Sequence, residues 1–329
     1  MKVAVVILNW NGRKLLEQFL PSVVSFSKGA DVYVADNAST DDSVAFLSQN
    51  YPNIRLIQNT SNGGFAKGYN DALRHVDADI YCLLNSDVEV TKGWLEPIIE
   101  SFNNQPETAI IQPKILDFKN KSMFEYAGAG GGYIDKYGYP FCRGRIFNTI
   151  EPDLGQYNDI SEIFWASGAC LFIRKSAYHQ LQGLDESFFS HMEEIDLCWR
   201  ARNSGLKVMY NGASTVYHVG GATLSNSSPK KTYLNFRNSL YALTKNADGN
   251  IFFLILVRLL LDGIAGVKFA IQLKPKHTFA IIRSHFSFYQ RLRTLLVQRK
   301  SQKKIKKYYR VKSIVWSYYI TSKKTVNSL

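Results

Sequence analysis

Cysteine is scarce in this chain and is not arranged in pairs. The 329 residues contain four cysteines, Cys82, Cys142, Cys170 and Cys198, and no two of them form a C-x-x-C motif. This spacing argues against a disulfide framework and predicts reduced, mostly buried thiols in a cytosolic protein.

Acidic residues are missing from the end of the chain. Residues 263–329 contain sixteen Lys and Arg but no Asp or Glu, whereas residues 1–262 contain twenty-four basic and twenty-seven acidic side chains. The net charge of +13 therefore comes from the C-terminal part. We predict two regions with different roles: a domain over 1–245 and a basic helical region over 246–329.

Long apolar runs are also lacking. The segment 1–9 becomes polar too quickly for a signal peptide and predicts a strand. The apolar run 251–261 is shorter than the ~20 residues that a spanning helix needs, and Arg258 and Asp262 interrupt it. Basic and aromatic residues follow from Lys274 onward, so an interfacial helix on an anionic membrane is favoured over a spanning helix or a packed helical cap.

Strand and helix patterns alternate through the first ninety residues. Apolar runs predict strands over 2–9, 32–35, 54–57 and 80–84. Helical spacing predicts helices over 14–27 and 41–50, and another after Gly64. Such alternation predicts an α/β domain with a mainly parallel central sheet flanked by helices.

Polar side chains follow the ends of these predicted strands. In an open parallel sheet the ligand binds outside the carboxyl ends of the strands, so we expect these side chains to share one crevice. Each of them alone could equally be a turn residue or a helix cap. The set is Asn9, Asp36, Ser39, Asn62, Gly64 and Asp87.

The middle of the chain has a less regular pattern. Residues 128–133 are rich in glycine, but no clear strand and helix frame them, so they are not a dinucleotide-binding fingerprint. We expect either a mobile loop that closes over a substrate or a plain linker. Strand-like runs over 162–173 and 207–210, and a strand that ends near His218, complete the predicted domain.

An acidic segment over 183–200 carries five carboxylates and one His among apolar side chains. Partial burial would raise the pKa of one carboxylate, and a carboxylate with a raised pKa can act as a general base. Alternatively, Glu193, Glu194 and Asp196 favour the positive end of a helix dipole.

Five motifs occur in an order that resembles family 2 glycosyltransferases, and they cover about residues 1–245. The subgroup that the chain resembles is that of bacterial rhamnosyltransferase-like enzymes of surface-polysaccharide assembly. The resemblance implies a GT-A fold, a nucleotide-diphospho-sugar donor, a divalent metal and inversion at the anomeric carbon. The motifs are Asn9-Trp10-Asn11-Gly12, residues 36–41, Asn62-Gly63-Gly64-Phe65-Ala66, residues 84–88 and residues 183–189.

The resemblance also implies roles for the crevice residues. Asp36 matches the acid that contacts the base or ribose of the donor, and Asp87 matches the second acid of a D-x-D-like element whose first position is Asn85. His218 resembles a metal ligand, and an imidazole ligand favours Mn²⁺ over Mg²⁺. The expected donor-binding residues are Asn9, Asp36, Ser39, Asp41, Asn62, Gly64 and Asn85.

Glu193 and Glu194 stand where the family has its Glu-Asp element, in which a carboxylate deprotonates the acceptor hydroxyl. By position Glu194 is the first candidate for the base. Because a shift of about 1 Å matters in catalysis, the choice between Glu194 and Glu193 stays open. Three further residues are expected to shape the acceptor site: Asp185, Glu186 and Trp165.

These inferences predict an inverting glycosyltransferase that moves a sugar, rhamnose first, to a glycan or lipid-linked glycan. The expected donors are dTDP-rhamnose or a UDP-sugar, and the expected cofactor is Mn²⁺ or Mg²⁺. We expect a cytoplasmic enzyme on the inner face of the plasma membrane, with no nucleic-acid partner. The alternatives are a non-catalytic glycan- or lipid-binding relative with a decayed site, and a nucleotidylyltransferase, although residues 9–14 make a poor phosphate loop.

Overall fold

The structure is a computed structural model that describes residues 1–220, 228–301 and 303–329. Strands and helices alternate through its first ninety residues, as the sequence predicts. The elements are β1 (Val3–Asn9), α1 (Arg13–Phe26), β2 (Ala30–Asp36), α2 (Ser43–Asn50), β3 (Arg55–Gln58), α3 (Gly64–Leu73) and β4 (Ile80–Asn85).

The next part of the chain adds short strands and three helices. They are β5 (Val88–Val90), α4 (Glu96–Asn104), β6 (Thr108–Asp117), β7 (Gly132–Ile134), β8 (Pro140–Cys142), β9 (Arg145–Ile146), β10 (Thr149–Ile150), β11 (Ile160–Glu162), β12 (Cys170–Arg174), α5 (Lys175–Gln180), α6 (Glu193–Asn203) and β13 (Lys207–His218). The two strands predicted before His218 are one continuous strand, and the run over 162–173 is extended only at its two ends.

Four helices follow β13 and make up most of the C-terminal region. They are α7 (Pro229–Asn246), α8 (Ile251–Ile271), α9 (Pro275–Lys300) and α10 (Ile314–Tyr319). Pro229 and Pro275 each stand at the first helical position, where the missing N–H group costs no hydrogen bond.

Within the described residues, nine strands form the central sheet, in the order β11-β13-β6-β12-β4-β1-β2-β3 with β5 beside β13. Strands β3, β2, β1 and β4 are parallel, and β12 runs antiparallel to both of its neighbours. The register sets Asn9 beside Asp36 and Leu8 beside Asn85. The carboxyl ends of β1, β2 and β4 therefore lie at one edge of the sheet.

Apolar side chains pack against both faces of this sheet. On one face α1 contributes Leu16 and Leu20, spaced as on one side of a helix. On the other, Leu83 of β4 belongs to the same buried cluster as Leu243 of α7 and Leu295 of α9. The C-terminal helices thus share a core with the sheet. The predicted boundary at 245/246 therefore separates two regions by their expected roles, and it stays a prediction.

Helix α8 places two charged residues inside and a row of apolar residues outside. Arg258 and Asp262 are buried, and Arg258 Nε donates a 2.8 Å hydrogen bond to Asp262 Oδ1. The Tyr139 hydroxyl donates to the same oxygen at 2.7 Å. The Arg258–Asp262 pair therefore anchors α8 to the body of the protein (residues 1–245) through Tyr139, and it does not interrupt the helix. No helix in the described part of the chain is long and apolar enough to cross a membrane.

The glycine-rich stretch over 128–132 is not a mobile loop or a plain linker, because it is buried. A Cβ atom on Gly132 would lie 2.0 Å from the Trp165 indole, and one on Gly128 would lie 2.4 Å from Ser167. The glycines are needed for close packing. Trp165 is buried by the same contact, and its Nε1 donates to the Tyr133 carbonyl at 2.8 Å. Trp165 therefore packs in the core, and a role for it at the acceptor site stays a prediction.

Candidate active site

Polar side chains at the ends of β1 and β2 form one hydrogen-bonded group. Asn9 Nδ2 donates to Asp36 Oδ1 at 3.0 Å and to Ser39 Oγ at 3.3 Å. Asp36 Oδ2 accepts the backbone N–H of Ser39 at 2.9 Å. Asn9 and Asp36 are both buried, and Asn9 Oδ1 has no hydrogen-bond partner within the described residues. The predicted crevice residues therefore meet, with one buried acceptor left available.

A second polar group joins this edge to the start of α3. Asn62 Oδ1 accepts the backbone N–H of Gly64 at 2.9 Å and Asn37 Nδ2 at 3.0 Å. Gly64 has a φ of +85°, and a Cβ atom there would lie 2.4 Å from the Phe189 carbonyl oxygen. Glycine is required because the α3 turn touches the loop before α6. Asn37 was missed in the sequence, where its position after a strand was the available signal.

Asp41 has a capping role in the structure. Its two carboxylate oxygens accept the backbone N–H groups of Arg13 and Ser43, each at 3.1 Å, at the starts of α1 and α2. Burial works to raise the pKa of Asp41, but these hydrogen bonds lower it overall. Because its oxygens already hold backbone groups, we leave Asp41 out of the proposed donor contacts.

A buried histidine lies between two carboxylates beside β4. His218 Nε2 is 3.2 Å from Asp87 Oδ1, and His218 Nδ1 is 3.4 Å from Glu125 Oε1. Burial works to lower the pKa of His218, but Glu125 and Asp87 raise it to about 10. Asn85 Nδ2 lies 3.5 Å from the same Nε2 atom. Residues 221–227, which follow shortly after His218, lie outside the described residues.

Asp87 and His218 fit a shared divalent ion, because two neighbouring ligands on one ion stand about 3 Å apart. Within the described ranges, no three His, Cys, Asp or Glu side chains form a set that could hold a metal ion. A divalent ion at this position would therefore have two protein ligands and would need further oxygen ligands from substrate or water, as Mg²⁺ sites commonly do. Glu125, which was not predicted, can orient the His218 ring as carboxylates orient metal-binding imidazoles.

The acid pair lies in the first turn of α6. Glu193 is buried, whereas Glu194 is partly exposed. Burial, the Glu194 charge and Asp196 raise the pKa of Glu193 well above its usual range, which favours its neutral form. Burial also raises the pKa of Glu194 to about 7, against the opposing effect of backbone N–H groups. Glu194 therefore has a pKa suited to gaining and losing a proton near neutral pH.

A chain of contacts connects Glu194 with the histidine site. A Cβ atom on Gly168 would lie 3.2 Å from the Phe65 ring and 3.8 Å from Glu194 Cβ. The next residue, Ala169, accepts the backbone N–H of Asn85 at 2.9 Å. Because Asn85 also approaches His218, this chain of contacts runs from the acid pair to the histidine site. The lack of a side chain at Gly168 lets the backbone pass close to the Phe65 ring.

Asp185 and Glu186 hold the loop that leads to α6. Asp185 pairs with Lys245 Nζ at 2.6 Å and caps the following turn by accepting the Ser187 N–H. Burial works to raise the pKa of Asp185, but Lys245 and Ser187 lower it to about 2. Glu186 Oε1 accepts Asn70 Nδ2 at 3.1 Å. Both acids therefore make contacts that fix the loop.

The fold and the site define a glycosyltransferase with the GT-A fold. The chain belongs to glycosyl transferase family 2, whose family model matches residues 4–181. The predicted family, fold and enzyme class are therefore confirmed. Because the chain and its named relatives are glycosyltransferases, the nucleotidylyltransferase alternative is set aside.

Two sequence relatives and one solved structure illustrate the similarity. The chain is 28% identical over 237 residues to N-acetylglucosaminyl-diphospho-decaprenol L-rhamnosyltransferase of Mycobacterium tuberculosis, covering 67% of this chain and 76% of the relative. It is 26% identical over 250 residues to low-salt glycan biosynthesis hexosyltransferase Agl10 of Haloferax volcanii, covering 73% and 75%. The structure of GalNAc-T7 with UDP, GalNAc and Mn²⁺ matches with a TM-score of 0.57 and 15% identity, over 75% of this chain and 48% of that one, and shows the shared fold.

Proposed function

We propose that this enzyme transfers a sugar, with rhamnose as the first candidate, from a nucleoside-diphosphate donor to a hydroxyl group of a glycan or lipid-linked glycan. The observation that carries the proposal is the position of Glu194. A carboxyl group with a pKa of about 7 borders the crevice that also contains Asp87 and His218. A base and a diphosphate-binding site in one crevice are what single displacement at an anomeric carbon requires.

Glu194 acts as the general base in this proposal. The acceptor oxygen forms its bond to the anomeric carbon while the bond from that carbon to the diphosphate breaks, and configuration inverts. The acceptor proton passes to the Glu194 carboxylate, whose pKa suits this transfer. Glu193 stays protonated and buried beside it. No covalent bond forms between sugar and enzyme.

Asp87 and His218 would hold Mn²⁺ or Mg²⁺ together with the donor diphosphate. When bound, such an ion neutralises the charge that develops on the leaving group. Asn85 lies beside His218 and can hydrogen-bond to a phosphate oxygen or a ribose hydroxyl. Glu125 holds the far side of the imidazole, so the ring keeps one orientation.

The nucleoside occupies the edge formed by β1, β2 and the start of α3. Asp36 accepts hydrogen bonds from the base or ribose, and the free Asn9 Oδ1 atom accepts another. Ser39, Asn62 and Gly64 shape this edge. Uridine and thymidine share the hydrogen-bonding groups that this site would contact. The rhamnosyltransferase among the relatives supports dTDP-rhamnose as the first donor to test.

A relative supports the proposed acceptor, and the C-terminal helices support the proposed location of the enzyme. The relative from M. tuberculosis is named for a diphospho-decaprenol acceptor, which supports a lipid-linked glycan here. The outward apolar row of α8 and the basic residues after Lys274 support contact with an anionic membrane on its cytoplasmic face. This arrangement would bring a membrane-bound acceptor to a soluble donor, and it requires no nucleic acid.

A donor-hydrolysis assay, in which water replaces the acceptor hydroxyl, tests the proposed function. Purified enzyme is incubated with single nucleotide-sugars and Mn²⁺ or Mg²⁺, with and without EDTA, and release of nucleoside diphosphate is measured for wild type and Asp87→Ala. We expect metal-dependent release with one donor, a loss of about 10³-fold in Asp87→Ala, and donor-induced thermal stabilisation only in wild type. The absence of release and of stabilisation with every donor would favour the non-catalytic alternative.

A further inference from the structure

Helix α7 holds the loop that precedes the acid pair, and we propose that Asn238 is a positioning residue for the reaction. The loop covers residues 187–192 and ends where α6 begins, directly before Glu193 and Glu194. The proposal rests on Glu194 as the base, but the hold on the loop can be measured separately.

The contacts of Asn238 with the loop are concentrated on one amide group. Asn238 is fully buried, and its Nδ2 atom lies 3.0, 2.9 and 2.7 Å from the carbonyl oxygens of Phe188, Ser190 and His191. An amide nitrogen has two hydrogens, so three carbonyl groups use its donor capacity fully. Asn238 Oδ1 accepts Arg237 Nε at 2.8 Å, which fixes the orientation of the amide.

The loop needs an external hold because of its backbone conformation. Phe189, His191 and Met192 have φ values of 65°, 70° and 73°, a region that side chains with a Cβ atom seldom adopt. Such conformations persist only when the surrounding structure determines them. Asn238 supplies much of this determination, and Arg237 Nη2 adds a 3.0 Å hydrogen bond to the Phe188 carbonyl.

The same loop touches the donor side of the crevice. The Phe189 carbonyl accepts the backbone N–H of Phe65 at 2.8 Å, at the start of α3. At its other end Met192 immediately precedes α6, and its carbonyl accepts the Asp196 N–H at 2.9 Å. Release of the loop would therefore move Glu194 relative to Phe65 and Gly168. A displacement of about 1 Å is enough to slow a reaction about 100-fold.

The test compares Asn238→Ala with Ser239→Ala, the neighbouring residue on α7. Ser239 is also buried and accepts a 2.6 Å hydrogen bond from Arg258, but it has no contact with the loop among its hydrogen bonds. We expect Asn238→Ala to lower kcat by about 100-fold with little change in the donor KM, and to speed hydrogen exchange of the amides of residues 187–194. Ser239→Ala is expected to change neither quantity.

Three outcomes would overturn the proposal: wild-type kcat and exchange in Asn238→Ala, the same losses in Ser239→Ala, or a loss confined to the donor KM. If Asn238→Ala does not fold, Arg237→Ala replaces it in the test, because Arg237 also donates a hydrogen bond to the loop, at the Phe188 carbonyl. Glu194→Gln is measured alongside. Full activity in Glu194→Gln would refute the proposed base, whereas the exchange data would still decide whether Asn238 holds the loop.

Discussion

Asn9 and Asp36 are buried and hydrogen-bond to each other at the carboxyl ends of β1 and β2, whereas α8 buries Arg258 and Asp262 and exposes a row of apolar side chains. Helix α1 of the body has the usual arrangement, with Leu16 and Phe19 inside. The buried face of α8 therefore combines a charged pair with apolar residues such as Leu254 and Ile255, and a second apolar row lies on its exposed face.

This difference shows which surfaces require a partner. The polar groups at the carboxyl ends of β1 and β2 are mostly paired with one another, and Asn9 Oδ1 is a buried acceptor without a partner among the described residues. On α8 the charges are paired internally, and exposed apolar surface is what lacks a partner. Contiguous apolar surface of this kind marks a protein or membrane interaction site.

The largest expected effect concerns the acid pair. Glu194→Gln removes the proposed base and should lower kcat by about 10³-fold, as loss of a general base does. Glu193→Gln should have a smaller effect, because burial and the Glu194 charge favour the neutral form of Glu193, which glutamine closely resembles. In wild type, kcat/KM should fall tenfold for each pH unit below a pKa of about 7, because protonation removes the base. Steady-state kinetics of the three proteins from pH 5 to 9 provides the measurement.

Equal losses in the two variants would contradict this distinction between Glu193 and Glu194. A profile for wild type without an acidic limb would also contradict it. Circular dichroism of each variant controls for folding. We expect unchanged spectra, since glutamine has nearly the same shape as glutamate and leaves the α6 backbone contacts in place.

The sequence predicted the crevice better than its supporting contacts. Asn9 and Asp36 were predictable because strand ends in a parallel sheet converge. Asn238 was not, because it acts on a loop 47 residues away through side-chain-to-carbonyl bonds that no periodic pattern records. The glycines over 128–132 suggested flexibility, yet their shape complementarity to Trp165 decides their conformation. Composition describes what a segment can do alone, and tertiary contacts decide which of these possibilities occurs.

A smaller effect is expected at the charged network that joins the body to α7. Lys245 is buried and lies 2.6 Å from Asp185 and 2.9 Å from Asp196. Lys245→Met leaves both carboxylates without this partner and should lower the free energy of unfolding by about 3 kcal/mol, measured by urea titration. Because the folded pKa of Asp185 is about 2, its stabilisation is present above its unfolded pKa and is lost as the pH falls through 2.

The Lys245 variant also tests how the stability of this charged network depends on pH. In Lys245→Met the acid-dependent part of the stability should shrink between about pH 4 and pH 2, since the pairing that lowers the Asp185 pKa is gone. Arg202→Met is the control, because Arg202 pairs at the surface with Glu162 and such pairs contribute about 0–1 kcal/mol. Equal destabilisation by the two substitutions would show that burial of the Lys245 network does not increase its contribution to the free energy of unfolding.

The smallest expected effect tests the outward face of α8. Leu256 and Leu260 are 56% and 63% exposed, one turn apart in the apolar row. Converting both to Glu removes apolar contact with a bilayer and adds repulsion from anionic lipid, so binding should weaken by about tenfold or more. The measurement is sedimentation with vesicles that contain anionic phospholipid, using the full chain.

The matched control places the same charges elsewhere on the protein. Leu154 and Ile160 are 83% and 52% exposed in the body, outside the C-terminal helices, and their double change to Glu alters the net charge equally. If α8 inserts into the membrane interface, the α8 variant should bind vesicles more weakly than the control variant, which carries the same added charge. If the two double variants bind vesicles equally, long-range charge accounts for the attraction, and the apolar row must be covered by something other than lipid.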